Sequence, residues 1–275
     1  MIAQELLKSI SDKADAPLTL ISALGGIAVF ILALRQKLWR KMPVFVIFVP
    51  WALATDFLSL YLLQHLTGPD YYVYVKYETM VDSVLILAVL VELGWSVLRP
   101  VRKVLPRGTI YLLAVLIGLA ALAIWPFASK ITPPGYYGTA ATVFHQQQTA
   151  AILRIACFAV MAGFSQLLSI GWKDRELQIA TGFGFYSVVS LVVGLLHLQQ
   201  SPNADAFHFL DQLVSISYVG TLSYWVLSFA AKEQERKEFS PQMQHLLLQL
   251  GGGVRSGRIA LSDLPSSTRT RDKDK

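Results

Sequence analysis

Asp56, Glu78, Asp82, Arg154 and Asp211 stand in stretches otherwise built of Leu, Val, Ile, Ala and Phe. An ionisable side chain in such surroundings is costly, and grouped residues of this kind can hold a polar ligand, a proton or an ion. Helical geometry turns successive residues by about 100°, so from Glu78 the side chain of Asp82 lies about 40° one way and that of Glu92 about 40° the other. The three acids share one face of a single helix, which must turn away from lipid. Depth adds to this. Asp56 is nine residues from His65, Asp82 ten from Tyr72 and Arg154 nine from His145. At 1.5 Å per residue all three lie about 14 Å from the same end of a bundle, near the middle of a ~30 Å hydrocarbon layer. Arg154 is therefore predicted to be the counter-ion of Asp56, Asp82 or both. Glu78 and Asp211 fall about a turn nearer that end.

Two uses compete for this cluster. An interhelical ion pair can fix helix register while adding little stability. Alternatively, the acids and the arginine form a ligand, proton or ion site, and the excess of acids over bases favours that reading. Glu92, near the opposite end, is expected to meet Arg99 or the basic loop, or to act as an inner carboxylate station. A stripe of Asp211, Ser215, Tyr218 and Thr221 within about 120° of arc extends the polar lining onto the last helix. Pro50 is expected to kink its helix, and Gly182, Gly184 and Gly194 to permit close helix approach. His65, His145, His197 and His208 all mark helix ends on one side. Three of them with a carboxylate would suit zinc or another divalent metal, although no HxxH or HxxxH pair supports it.

The elements that position these residues follow from hydropathy. Of 275 residues 54% are hydrophobic and 15% charged, against about a quarter charged in a soluble domain. Seven mostly apolar stretches are long enough to cross a bilayer: about 18–34, 43–64, 72–98, 109–127, 146–171, 177–197 and 207–231. The expected fold is all-α, a polytopic bundle of seven transmembrane helices over 18–231. Residues 1–17 form a short polar segment outside. Residues 232–253 form an amphipathic juxtamembrane segment in the cytoplasm, and 254–275 a disordered cytoplasmic tail. The net charge of +6 does not point to nucleic acid, because the basic residues alternate. Arg35, Lys37, Arg40 and Lys41 follow the first stretch, and Arg99, Arg102, Lys103 and Arg107 the third. Lys173 and Arg175 follow the fifth, and Lys232, Arg236 and Lys237 the seventh. That pattern puts the N-terminus outside and the C-terminus in the cytoplasm. The first stretch has its basic cluster after the apolar run and reads as a retained helix, not a cleaved leader. The lone Cys157 excludes an internal disulfide and a cysteine metal motif.

The runs "LAVLVELGWSVLRP" (87–100) and "WKDRELQIATGFGFYS" (172–187) give the chain its likeness to a family. It resembles bacterial seven-helix integral membrane proteins, a group that implies the membrane topology and no particular activity. Retinal proteins are excluded by the absence of lysine from 207–231. His197 and His208 depart from the paired-histidine motif of seven-helix zinc hydrolases. The first functional expectation is a sensor or signalling module of the inner membrane, with an acid-rich pocket in its outer half and a tail that docks a cytoplasmic partner. A proton- or cation-coupled small-molecule transporter comes second. A purely structural subunit and an outer-face metal-dependent enzyme follow. The lipid bilayer is the implied surrounding, and self-association into a homo-oligomer is left open.

Overall fold

The structure is a computed structural model that describes residues 2–66, 68–98, 108–131, 137–163, 174–198 and 205–231. Among these, the side chains of 2–16, 60, 63, 64, 68, 69, 131 and 205–208 are outside the description. Residues 99–107 and 132–136, and the segments 232–253 and 254–275 expected to be a juxtamembrane segment and a tail, likewise lie outside the described residues.

Among the described residues every regular element is helical, and these hold seven α-helices: α1 (Ile2–Arg35), α2 (Pro43–His65), α3 (Gly68–Val97), α4 (Thr109–Ala128), α5 (Thr139–Gly163), α6 (Arg175–His197) and α7 (Asp205–Ala230). A 3₁₀ turn, Leu38–Arg40, joins α1 to α2, and another, Ser129–Ile131, extends α4. The helix α1 is continuous from Ile2 across Pro17. No glycine stands between Ile2 and Thr19 to end the helix, and a proline inside a helix removes one hydrogen bond without forcing a stop. At α5 the helix begins at Thr139, seven residues before the stretch at 146, and in that added length His145 meets Trp125 of α4.

Five helices contain segments long and apolar enough to cross a membrane: Pro17–Arg35, Asp70–Val97, Thr109–Ala128, Arg175–His197 and Phe209–Ala230. In α2 the residues with described side chains form an apolar run, Pro43–Ser59. The weaker hydropathy of α5 has a local cause, since Gln147, Gln148 and Arg154 interrupt it and point inward. The outer surface is apolar, as a lipid-facing bundle requires. On α4, Leu112, Leu116, Leu119 and Leu122 are all more than half exposed, and Ala128 is its only fully buried residue.

Helix neighbours run in a ring, α1–α2–α3–α5–α6–α7 and back to α1, with α4 packed outside against α3 and α5. The ring is solid at one end and hollow at the other. At the solid end Val29, Phe45, Val89, Leu93, Leu177 and Phe229 are wholly buried in one apolar core. Arg35, Lys37, Arg40, Lys41 and Arg175 gather at this end. Buried polar contacts lock it. The Glu92 carboxylate accepts the backbone N–H groups of Val44 (2.9 Å) and Phe45 (2.8 Å), capping the start of α2 from α3. Arg175 donates to the carbonyls of Ser228 (2.5 Å) and Ala231 (2.7 Å), capping the end of α7 from α6. Each charge meets the helix pole of opposite sign. Ser96 donates to Glu176 at 2.6 Å, tying the end of α3 to the start of α6.

Candidate functional site

The hollow end holds a cavity of about 730 Å³ lined by all six ring helices and by no residue of α4. On α7 its wall runs from Asp211 to Trp225, a depth of about 20 Å at 1.5 Å per residue. The helix ends carrying Gln147, His197 and Asp211 form the rim, where the Asp211 side chain is 58% exposed. The floor is aromatic. Phe183 packs edge-on against Trp225 at 5.1 Å and Phe48 at 5.6 Å, and Phe45 lies beneath them, 5.4 Å from Trp225. Trp225 is fixed by an N–H bond to the Gln178 carbonyl at 3.2 Å. Gly182 makes room for it, since any Cβ there would collide with the indole nitrogen.

Asp56, Glu78, Asp82, Arg154 and Asp211 all line this cavity, as do Ser215, Tyr218 and Thr221. The acids form a pole on α2 and α3. Asp56 is in electrostatic contact with both Glu78 and Asp82. Glu78 accepts a hydrogen bond from Ser59 at 3.2 Å, and Ser59 and Tyr74 share another at 3.2 Å. The basic pole lies on α5. Arg154 is 9% exposed, and its Nε donates to the Ala150 carbonyl at 3.2 Å. The guanidinium lies over Tyr186 (5.3 Å to the ring centre) and Phe183 (5.9 Å), a cation–π cradle supplied by α6. Asp82 is its electrostatic partner among the acids. Among the described residues, however, no carboxylate oxygen comes within 4.0 Å of Arg154, and its terminal amino groups have no protein acceptor. Arg154 thus acts on Asp82 electrostatically without touching it. Tyr186 and Phe183 hold the guanidinium against α6.

The face shared by Glu78, Asp82 and Glu92 divides by depth. The first two open into the cavity, whereas Glu92 lies below the aromatic floor with both oxygens engaged by α2. Instead of standing as a free inner station, Glu92 is a helix cap. The α7 stripe faces the cavity, and its hydroxyls also bond backbone. Ser215 donates to Asp211 O at 3.3 Å, and Thr221 donates to Ser217 O (3.0 Å) and across to Gly182 O on α6 (3.3 Å).

The histidines stand apart from one another. His65 is stacked on Tyr61 at 4.2 Å and bonds the Tyr61 carbonyl. His145 meets the edge of Trp125 at 5.9 Å. His197 is buried with Nε2 3.4 Å from Asp211. The side chain of His208 is outside the description. Among the described residues no group of three or more His, Cys, Asp or Glu side chains is placed to hold a metal ion. Cys157 is half-buried beside Met161, 4.0 Å from its sulfur.

Sequence reasoning misses Gln148, which is 3% exposed on the cavity wall with an unpartnered Oε1. It also misses the α6 wall, although the signal is present: Phe183, Tyr186, Ser190, Val193, Gly194 and His197 recur at helical spacing on one face. No family model, no curated protein and no solved structure matches this chain.

Proposed function

We propose that this is a seven-helix protein of the inner membrane whose outer half holds a binding pocket for a small polar ligand, and that it acts as a sensor. All seven helices span, including the less apolar α5, because its polar residues Gln147, Gln148 and Arg154 face the cavity and not lipid. The basic residues at the solid end favour a cytoplasmic position for that end. The hollow, histidine-bearing end then faces out.

The observation that carries the sensor reading is the position of Phe183. Its ring meets the Arg154 guanidinium on the cavity side and Trp225 and Phe45 on the packed side. Phe45 is in turn held by Glu92 through its N–H. A ligand that draws Arg154 inward alters the packing of the floor, and through it the start of α2 and the end of α7. The tail that follows α7 is the segment through which a cytoplasmic partner would read the change.

The test is pulsed-EPR distance measurement in lipid nanodiscs, with spin labels at Lys37→Cys and Ala231→Cys in a Cys157→Ser background. Arg154→Gln is expected to shift the distance distribution between the cytoplasmic ends of α1 and α7. An unchanged distribution refutes coupling between pocket and floor. The four carboxylates of the cavity also favour a second reading, a proton- or cation-coupled transporter with its outer side open. Proteoliposome flux separates the two. Transport would give uptake above empty vesicles that Asp82→Asn abolishes, and the sensor gives none.

A further inference from the structure

We infer that the pocket takes a small amphoteric ion of amino-acid type, with its carboxylate on Arg154 and its ammonium group on the Asp56–Glu78–Asp82 wall. The inference rests on the pocket reading above and names the chemistry of its ligand.

Three observations support it. First, Arg154 is nine-tenths buried, yet among the described residues only its Nε is hydrogen-bonded to protein. Both terminal amino groups are left to face an acceptor that the protein does not supply. Two parallel N–H groups on a planar fork match a carboxylate in bidentate geometry, and such charge-assisted bonds are the strong ones. Second, Arg154 and Asp82 are electrostatic partners without touching. Had they only to satisfy each other, direct contact would be the better arrangement at this depth. The cation–π cradle of Tyr186 and Phe183 holds the guanidinium back and keeps the gap open. A ligand carrying both charges bridges the gap and meets each pole with its opposite. Third, the cavity volume of about 730 Å³ lies in the usual ~300–1,000 Å³ range of small-molecule sites. The lining carries four carboxylates, three of them on the α2–α3 wall, against one guanidinium, so a plain carboxylate ligand would be repelled. A plain diamine would leave the arginine without an acceptor.

The experiment uses the full-length protein in lipid nanodiscs, with Cys157→Ala removing the native thiol and Ser190→Cys placing one on the cavity wall. The rate of modification by a trimethylammonium thiosulfonate reagent is measured alone and against lysine, 6-aminohexanoate, cadaverine and hexanoate. These four share a five-carbon chain and differ in the ammonium and carboxylate groups attached to it. Ser83→Cys, on the facing wall, serves as a second reporter should Ser190→Cys fold poorly. Lysine and 6-aminohexanoate are expected to protect at half-effective concentrations at least tenfold below those of cadaverine and hexanoate. Arg154→Gln should erase that difference between 6-aminohexanoate and cadaverine. Equal protection by cadaverine overturns the carboxylate arm, and equal protection by hexanoate overturns the ammonium arm. Modification that none of the four slows overturns the ligand class and leaves an open pocket. A thiol that the reagent never reaches at either position overturns the pocket itself.

Discussion

Replacing Glu92 separates a structural role from a transport role more cleanly than any other change in the molecule. The start of α2 has no local cap, since Met42 offers no side-chain acceptor. Its first N–H groups depend on a carboxylate 47 and 48 residues away, at 2.8 and 2.9 Å. Hydrogen bonds to a charged partner are worth about 1.5–3 kcal/mol each, and a carboxylate at a helix N-terminus adds about 0.3–1 kcal/mol. Glu92→Gln keeps one acceptor oxygen but turns an amide NH₂ toward the other N–H, so it should lose about 2–4 kcal/mol. Glu92→Leu removes both acceptors and should lose more, about 3–6 kcal/mol on the same per-bond values. The assay is reversible unfolding in mixed micelles of increasing SDS fraction, read by tryptophan fluorescence. Protection of a thiol at position 190 is followed in parallel. Stability should fall in the order wild type, Gln, Leu, while the half-protecting concentration of 6-aminohexanoate stays within about twofold under native conditions. A Glu92→Gln protein as stable as wild type would refute the capping argument. Full stability combined with lost ligand protection would return Glu92 to the functional site.

Arg175→Met keeps much of the side-chain volume but strips the acceptor carbonyls of Ser228 and Ala231 of their donor. It is expected to cost about 3–5 kcal/mol, from two charge-assisted bonds in a buried position, measured by the same SDS titration. Gly182→Ala places a methyl group against the Trp225 indole, and the ring cannot yield without losing its bond to Gln178. Overpacking of this kind costs about 1–3 kcal/mol, and an unfolding midpoint equal to that of wild type would show that α6 and α7 approach less closely.

The elements were legible because hydropathy and the charge of connecting loops are one-dimensional signals. The cavity residues were legible because a buried Asp or Arg in an apolar run has few bland explanations, and counting residues from the histidine ends set a common depth. The rest depended on what lies opposite. The spacing of Glu92 from Asp82 places both on one face, but depth along the axis decides between a cavity and a helix end, and spacing alone does not reveal that α2 begins there. Arg175 counted as one basic residue among many at the cytoplasmic border. That it turns inward to cap α7 follows from the position of Ala231, 56 residues later. The pairing of Arg154 with a carboxylate looked natural because charge was visible and aromatic faces were not. Tyr186 and Phe183 reside on a helix whose pattern reads as ordinary core.

The size of the hollow bears on whether the polar cluster is more than a register device. The cavity opens at a rim where Asp211 is 58% exposed, so it fills with water or a ligand, and its polar lining keeps it wet. An ion pair needed only to set register has no use for such a volume. Larger apolar side chains at Ser22, Ser83 and Ser190, all on the cavity wall, would pack the same six helices more tightly. Small hydroxyl residues at those positions, with Arg154 held back on an aromatic cradle from the acids it faces, preserve an opening that helix packing by itself would close.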